Sequence, residues 1–243
     1  MRNLYGIWCV IMGLGLMTGS GCRAGDEAAD GSRREEPTMV STNRESKTID
    51  EQPSGKWSPG LTAEEKATLF AIAGDTLAWC VAGGREPFSF DGYAITDRLK
   101  VPMATFVTLK VRQHDALRGC IGSLAPEAPL YESVHDNAVN AALRDNRFPR
   151  VTEAELPGLV VHVSILSPIT AIPGPESFLV GEHGIIIEKG YRRAVYLPEV
   201  ATEQHWTREQ TLSSLCQKAG LGPDDWKRGA TFKVFSSVVL SVE

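Results

Sequence analysis

The stretch LRGCIGSL, residues 117–124, sets a cysteine among glycines, with an arginine two positions ahead of it. That combination admits chemistry. A thiol reacts as its thiolate, and a nearby guanidinium or protonated imidazole lowers its pKa from about 8.5, so Arg118 could activate Cys120. The same residues also suit recognition. A guanidinium forks onto a carboxylate or phosphate, and Gly119 and Gly122 would leave backbone groups within reach of a ligand. A third reading needs no reaction: free cysteine is among the most buried residue types, and glycine inside a strand marks a bulge or a close approach. The sequence alone leaves all three open. A metal centre is not expected, because Cys120, His114, His135, His162 and His183 show no CxxC, HxH or HExxH spacing. No cofactor is expected either, since neither a GxGxxG nor a P-loop pattern is present.

Regular elements have to hold these groups. LTAEEKATLFAIAGDTLAWCVAGG reads as a helix: Thr62 and Glu65 form a capping box, Leu69, Ile72, Ala73, Leu77, Cys80 and Val81 recur at helical spacing, and Gly83-Gly84 end it. ATFVTLKVR (104–112) alternates as a half-buried strand, with Val107, Leu109 and Val111 opposite Phe106, Thr108 and Lys110. QHDA turns the chain and LRGCIGSL returns it, which puts Arg118 and Cys120 on one strand face. Pro129 opens a second helix through PLYESVHDNAVNAALRDNRF. GLVVHVSILSP (158–168) is a strand in which His162 is expected to sit satisfied at a sheet face. GIIIEKGYRRAVYLP is a hairpin turning at Lys189-Gly190, TREQTLSSLCQKAG a helix capped by Thr207 and Gln210, and TFKVFSSVVLSV a closing strand. Tight turns between strands and few helices predict an α+β fold with a largely antiparallel sheet.

The 243 residues divide into unequal parts. Residues 1–21 carry Arg2, an apolar run from Ile7 to Met17 and small residues up to Gly21, the layout of a signal peptide. It is too short for a spanning helix. Cys22 follows, as at a bacterial lipoprotein cleavage site where the cysteine is acylated, although Gly19 replaces the usual aliphatic residue; an ordinary signal cleaved nearby is the alternative. Residues 22–60 are charged and rich in Ser, Gly and Pro, hence a lipidated cysteine with a disordered tether. Residues 61–243 form the folded domain. The expected location is the bacterial cell envelope, facing the periplasm or exterior, with membrane contact through the lipid alone. A net charge of −5 and no basic run beyond Arg33-Arg34 and Arg192-Arg193 argue against nucleic acid. Cys80, Cys120 and Cys216 remain, and their odd number leaves at least one thiol outside any disulfide.

TFVTLKVRQHDALRGCIGSL, DNRFPRVTEAEL, VSILSP, EHGIIIEKGYRRAVYLPEVA and LCQKAGL occur in this order. Together they resemble the AMMECR domain family, also called AmmeMemoRadiSam system protein A, over roughly residues 62–243, with LRGCIG as the hallmark. The resemblance implies an α+β fold of two closely associated subdomains and an association with Memo-type and radical SAM proteins. It implies no established reaction. The shared blocks fall on Arg118, Gly119, Cys120, Ile121 and Gly122, and on His183, Gly184, Glu188, Lys189, Gly190 and Arg193. Phe148-Pro149-Arg150 departs from the family's Phe-Pro-Pro, and His205 stands near positions that are often small. A radical SAM partner belongs in a reducing cytoplasm, which an exported copy does not share.

Two functional readings follow. In the first, a binding module takes a small anionic ligand or a protein partner on Arg118, Gly119, Gly122 and Arg193, at a site built from LRGCIG and the EHG hairpin. In the second, Cys120 is a catalytic nucleophile with His183 as base or proton shuttle and Glu188 as its orienting carboxylate.

Overall fold

The computed structural model describes residues 49–242. The expected signal peptide and Cys22 lie outside the described residues. Nine strands and four α-helices alternate: β1 (Ile49–Pro53), α1 (Ala63–Val81), β2 (Thr105–Val111), β3 (Ala116–Gly122), α2 (Leu130–Leu143), β4 (Leu159–Leu166), β5 (Thr170–Ile172), β6 (Gly184–Lys189), β7 (Arg192–Tyr196), α3 (Pro198–Glu203), α4 (Arg208–Lys218), β8 (Thr231–Phe235) and β9 (Ser237–Val242). They build one sheet in the order β1-β9-β4-β2-β3 and a second in the order β5-β8-β6-β7. Every pairing is antiparallel. This is the α+β fold that the short turns imply.

Local chemistry explains the main elements. The Thr62 hydroxyl accepts the Glu65 N–H at 3.2 Å while the Glu65 carboxylate accepts the Thr62 N–H at 2.9 Å, so two orphan donors of α1 are satisfied. Thr207 and Gln210 repeat the device on α4. Alternation along β2 divides two cores. Val107 and Leu109 join the cluster under α1 and α2, and Phe106 joins the cluster between the sheets. Ala138, Ala141 and Ala142 bring the backbone of α2 close to the first sheet.

Several boundaries differ from expectation. Sheet structure begins at Ile49, inside the stretch read as tether, because β1 pairs with β9 from Ile49↔Val242 to Pro53↔Val238. IDEQP lacks an apolar face, so its register comes from the backbone of β9. The second expected helix stops at Leu143, and the residues after it turn back to β3. The single closing strand is two strands, β8 in the second sheet and β9 in the first. Likewise β4 and β5 lie in different sheets. The two crossings adjoin each other: Ser167 N–H donates to the Ser236 carbonyl at 2.9 Å, and Ser236 N–H donates to Ser167 Oγ at 2.9 Å. Serines supply there the partners that a broken ladder leaves unmet.

Candidate functional site

β3 is an edge strand, and its outward backbone groups need partners. At Cys120 they find side chains. The Cys120 N–H donates to Asp145 Oδ2 at 2.9 Å, and its carbonyl accepts from Arg147 Nη2 at 3.2 Å. Arg147 also grips Asp145 through Nε at 2.9 Å and Nη2 at 2.6 Å. Burial alone would push the Asp145 carboxyl up, but the hydrogen bonds from Arg147 and from the Cys120 and Arg147 amides hold it below the usual carboxylate range. The side chain of Cys120 turns inward. It is 1% exposed, sits in the core between the sheets, and its Sγ accepts from Thr108 Oγ1 at 3.3 Å.

The glycines serve packing. A Cβ on Gly119 would stand 2.3 Å from the Ala141 carbonyl oxygen of α2, and one on Gly122 would stand 2.3 Å from the Phe106 ring. The room beside each is therefore filled by the protein itself. Between them and the turn, the β2–β3 register slips: Leu109 faces Gly119 but Lys110 faces Leu117, so Arg118 is the extra residue of a bulge. The bulge breaks the simple alternation that put Arg118 and Cys120 on one face. Each nitrogen of the Arg118 guanidinium is engaged: Nε and Nη2 with Glu155 at 2.7 and 3.2 Å, Nη1 with the Pro149 carbonyl at 2.8 Å, and Nη2 with the Arg150 carbonyl at 3.3 Å. That guanidinium, aided by the Thr152 amide, pulls the Glu155 carboxyl down to about 2. The Phe148 ring lies 5.9 Å from Arg118 Cζ and 5.5 Å from Arg147 Cζ, so the DNRFPR segment and LRGCIG form one assembly.

The remaining predicted residues sit elsewhere. His183 Nδ1 accepts the Leu179 N–H at 3.2 Å in the loop entering β6. Glu188 lies near the far end of the same strand, where it pairs with Lys233 at 2.9 Å and with Arg193 at 3.4 Å. Glu188 and His183 are thus held apart by the length of β6, and Arg193 already faces a carboxylate.

A different cluster forms where the first sheet meets α3. The register sets Cys120, Thr108 and His162 in one row across β3, β2 and β4. Lys110, two residues along β2 from Thr108, shares that face. Its Nζ lies 2.9 Å from Asp115 and 3.8 Å from Glu203. Glu199 stands one helical turn before Glu203 on α3. Burial pushes the Glu199 carboxyl up to about 7, with the Glu203 charge adding to the rise and Lys110 opposing it. Glu203 is raised as well, chiefly by burial. His162 is held low by burial and by the Lys110 charge. Glu199 keeps some exposed surface, yet its Oε2 is buried and meets no hydrogen-bond partner among the described residues. The reading of His162 as a satisfied sheet residue passed over this neighbourhood, and Lys110, Glu199 and Glu203 were not singled out. The available signal was LPEVATE: a proline able to start a helix, then two glutamates four apart on one face. Among the described residues, no group of three or more His, Cys, Asp or Glu side chains could hold a metal ion.

Comparisons with known proteins agree with this architecture. The AMMECR1 family model matches residues 70–240. A protein of Methanosarcina acetivorans is 36% identical over 186 residues, covering 74% of this chain and 92% of its own. One from Thermococcus onnurineus is 44% identical over 132 residues, covering 51% of this chain and 64% of its own. The crystal structure of the uncharacterized protein PH0010 from Pyrococcus horikoshii superposes with a TM-score of 0.65 at 34% identity, over 70% of this chain and 88% of that one. The chain belongs to the AMMECR1 family.

Proposed function

We propose that this protein is an exported, lipid-anchored AMMECR1-domain binding module that recognises a small ligand at the polar ground between its sheets, around Lys110, His162, Glu199 and Glu203. One contrast carries the reading. Arg118 faces Glu155, and Arg193 shares Glu188 with Lys233, so neither cation is outnumbered, whereas the single Lys110 stands among three carboxyl groups, Asp115, Glu199 and Glu203. A fold complete in itself rarely leaves a buried oxygen such as Glu199 Oε2 without a partner. LRGCIG then forms the floor and the edge of the site. Thiol catalysis by Cys120 and His183 is less favoured, because the sulfur is buried and the imidazole is engaged in its own loop. Tethering through Cys22 and any association with Memo-type or radical SAM proteins belong to the same proposal.

Mapping amide chemical shifts against a collection of small polar fragments tests it. Responses should gather at Lys110, His162 and Glu199. Responses gathering at Arg118 and Arg193, or no response in this region, would refute it.

A further inference from the structure

Resting on that binding reading, we infer that the group recognised at this site is a protonated amine, delivered to Glu199 and Glu203 of α3. The charges point that way. One ammonium, Lys110, stands near three carboxyl groups, and it is already 2.9 Å from Asp115 and 3.8 Å from Glu203. Glu199 stands one helical turn before Glu203 on α3 and feels the charges of Glu203 and Lys110, and its buried Oε2 has no donor among the described residues. An entering anion would meet this carboxylate excess and be repelled. A neutral hydroxyl could supply a hydrogen bond but no charge. An ammonium supplies both: its three N–H donors can be shared between carboxylates one helical turn apart. His162, neutral through burial and the Lys110 charge, adds no competing cation. A divalent ion fits less well, since no group of three or more candidate ligands is assembled among the described residues.

The route in is open on one side. The Asp115 and Glu203 side chains are 74% and 37% exposed, while Lys110 is 15% exposed. The solvent side of the cluster is therefore acidic, which favours the approach of a cation. The apolar core of Phe106 and Cys120 continues along the same sheet face.

Chemical-shift titrations with butylammonium, n-butanol and butyrate test the assignment, using the folded chain and its Glu199→Gln and Glu203→Gln variants. Butylammonium should perturb Lys110, Glu199 and Glu203 saturably, and Glu199→Gln should weaken it at least tenfold. Butyrate should leave these resonances unmoved. Equal responses to n-butanol and butylammonium, or binding of butyrate in place of the amine, would overturn the amine while leaving a binding site intact. Silence toward all three probes, where polar fragments still bind the same residues, would also overturn it. Silence toward the fragments too would remove the site itself. Circular dichroism of both variants shows whether a lost response reflects a lost fold.

Discussion

Replacing Glu199 with glutamine should stabilise the fold, and the gain should grow with pH. In the unfolded chain this carboxyl titrates near its ordinary value of 4.5, and in the folded chain burial pushes it up to about 7. The folded state therefore holds the proton more tightly, and stability is lost as pH rises from the first value through the second. Since a tenfold change in a proton-binding constant corresponds to about 1.36 kcal/mol, the full difference amounts to about 3 kcal/mol. At pH 5 the penalty is about 1 kcal/mol, and at pH 8 about 3 kcal/mol, from the same linkage relation. Glutamine keeps the shape and removes the ionisation. Urea unfolding at both values should show Glu199→Gln gaining about 2–3 kcal/mol more on wild type at pH 8 than at pH 5. His162 contributes with the opposite sign, because its lowered pKa gives stability above its ordinary range that is lost as pH falls. Taking the difference between the two proteins cancels that contribution. A gain that did not change with pH would refute the account of a buried carboxyl.

Two further predictions concern the edge of the first sheet. Gly119→Ala should cost roughly 1–3 kcal/mol in chemical unfolding, because the new methyl meets a backbone carbonyl rather than a yielding side chain; Gly190→Ala, where the Cβ meets nothing, supplies a contrast dominated by its positive φ. Asp145→Ala should cost about 3–5 kcal/mol, since it strands the Arg147 charge and the Cys120 amide. It should also expose Cys120 to iodoacetamide, read by peptide mass spectrometry, whereas the wild-type thiol should resist labelling.

The sheet and its helices were legible where one local rule decided the outcome. The Thr62-Glu65 and Thr207-Gln210 pairs marked helix starts that the hydrogen bonds bear out, and alternation along 104–112 sorted its residues into the two cores. What depended on distant partners was not legible. Two apolar runs interrupted by serine, VSILSPITAI and KVFSSVVL, look continuous in sequence, and their division between sheets is set only by each other. The bulge at Arg118 shows only in the register against β2. The glycines around Cys120 signalled crowding correctly, but the occupants, Ala141 and Phe106, came from other elements. For the same reason the local pattern points to the thiol. The unmatched charge on the same sheet face arises from Lys110 meeting a helix nearly ninety positions later, and no local pattern joins the two.

Paired crossings at Ser167 and Ser236 have a mechanical consequence. Two neighbouring segments pass between the sheets at one seam, so any relative motion of the halves would pivot about it. Leu166 is the last residue of β4 before the seam, and Val160, which faces Lys110, lies six positions back along that strand, about 20 Å away at strand spacing. A swing of about 5° at the hinge would move the far end by about 2 Å over that lever arm. The Lys110–Glu203 contact thus lies at the end of the strand that such a pivot would move furthest.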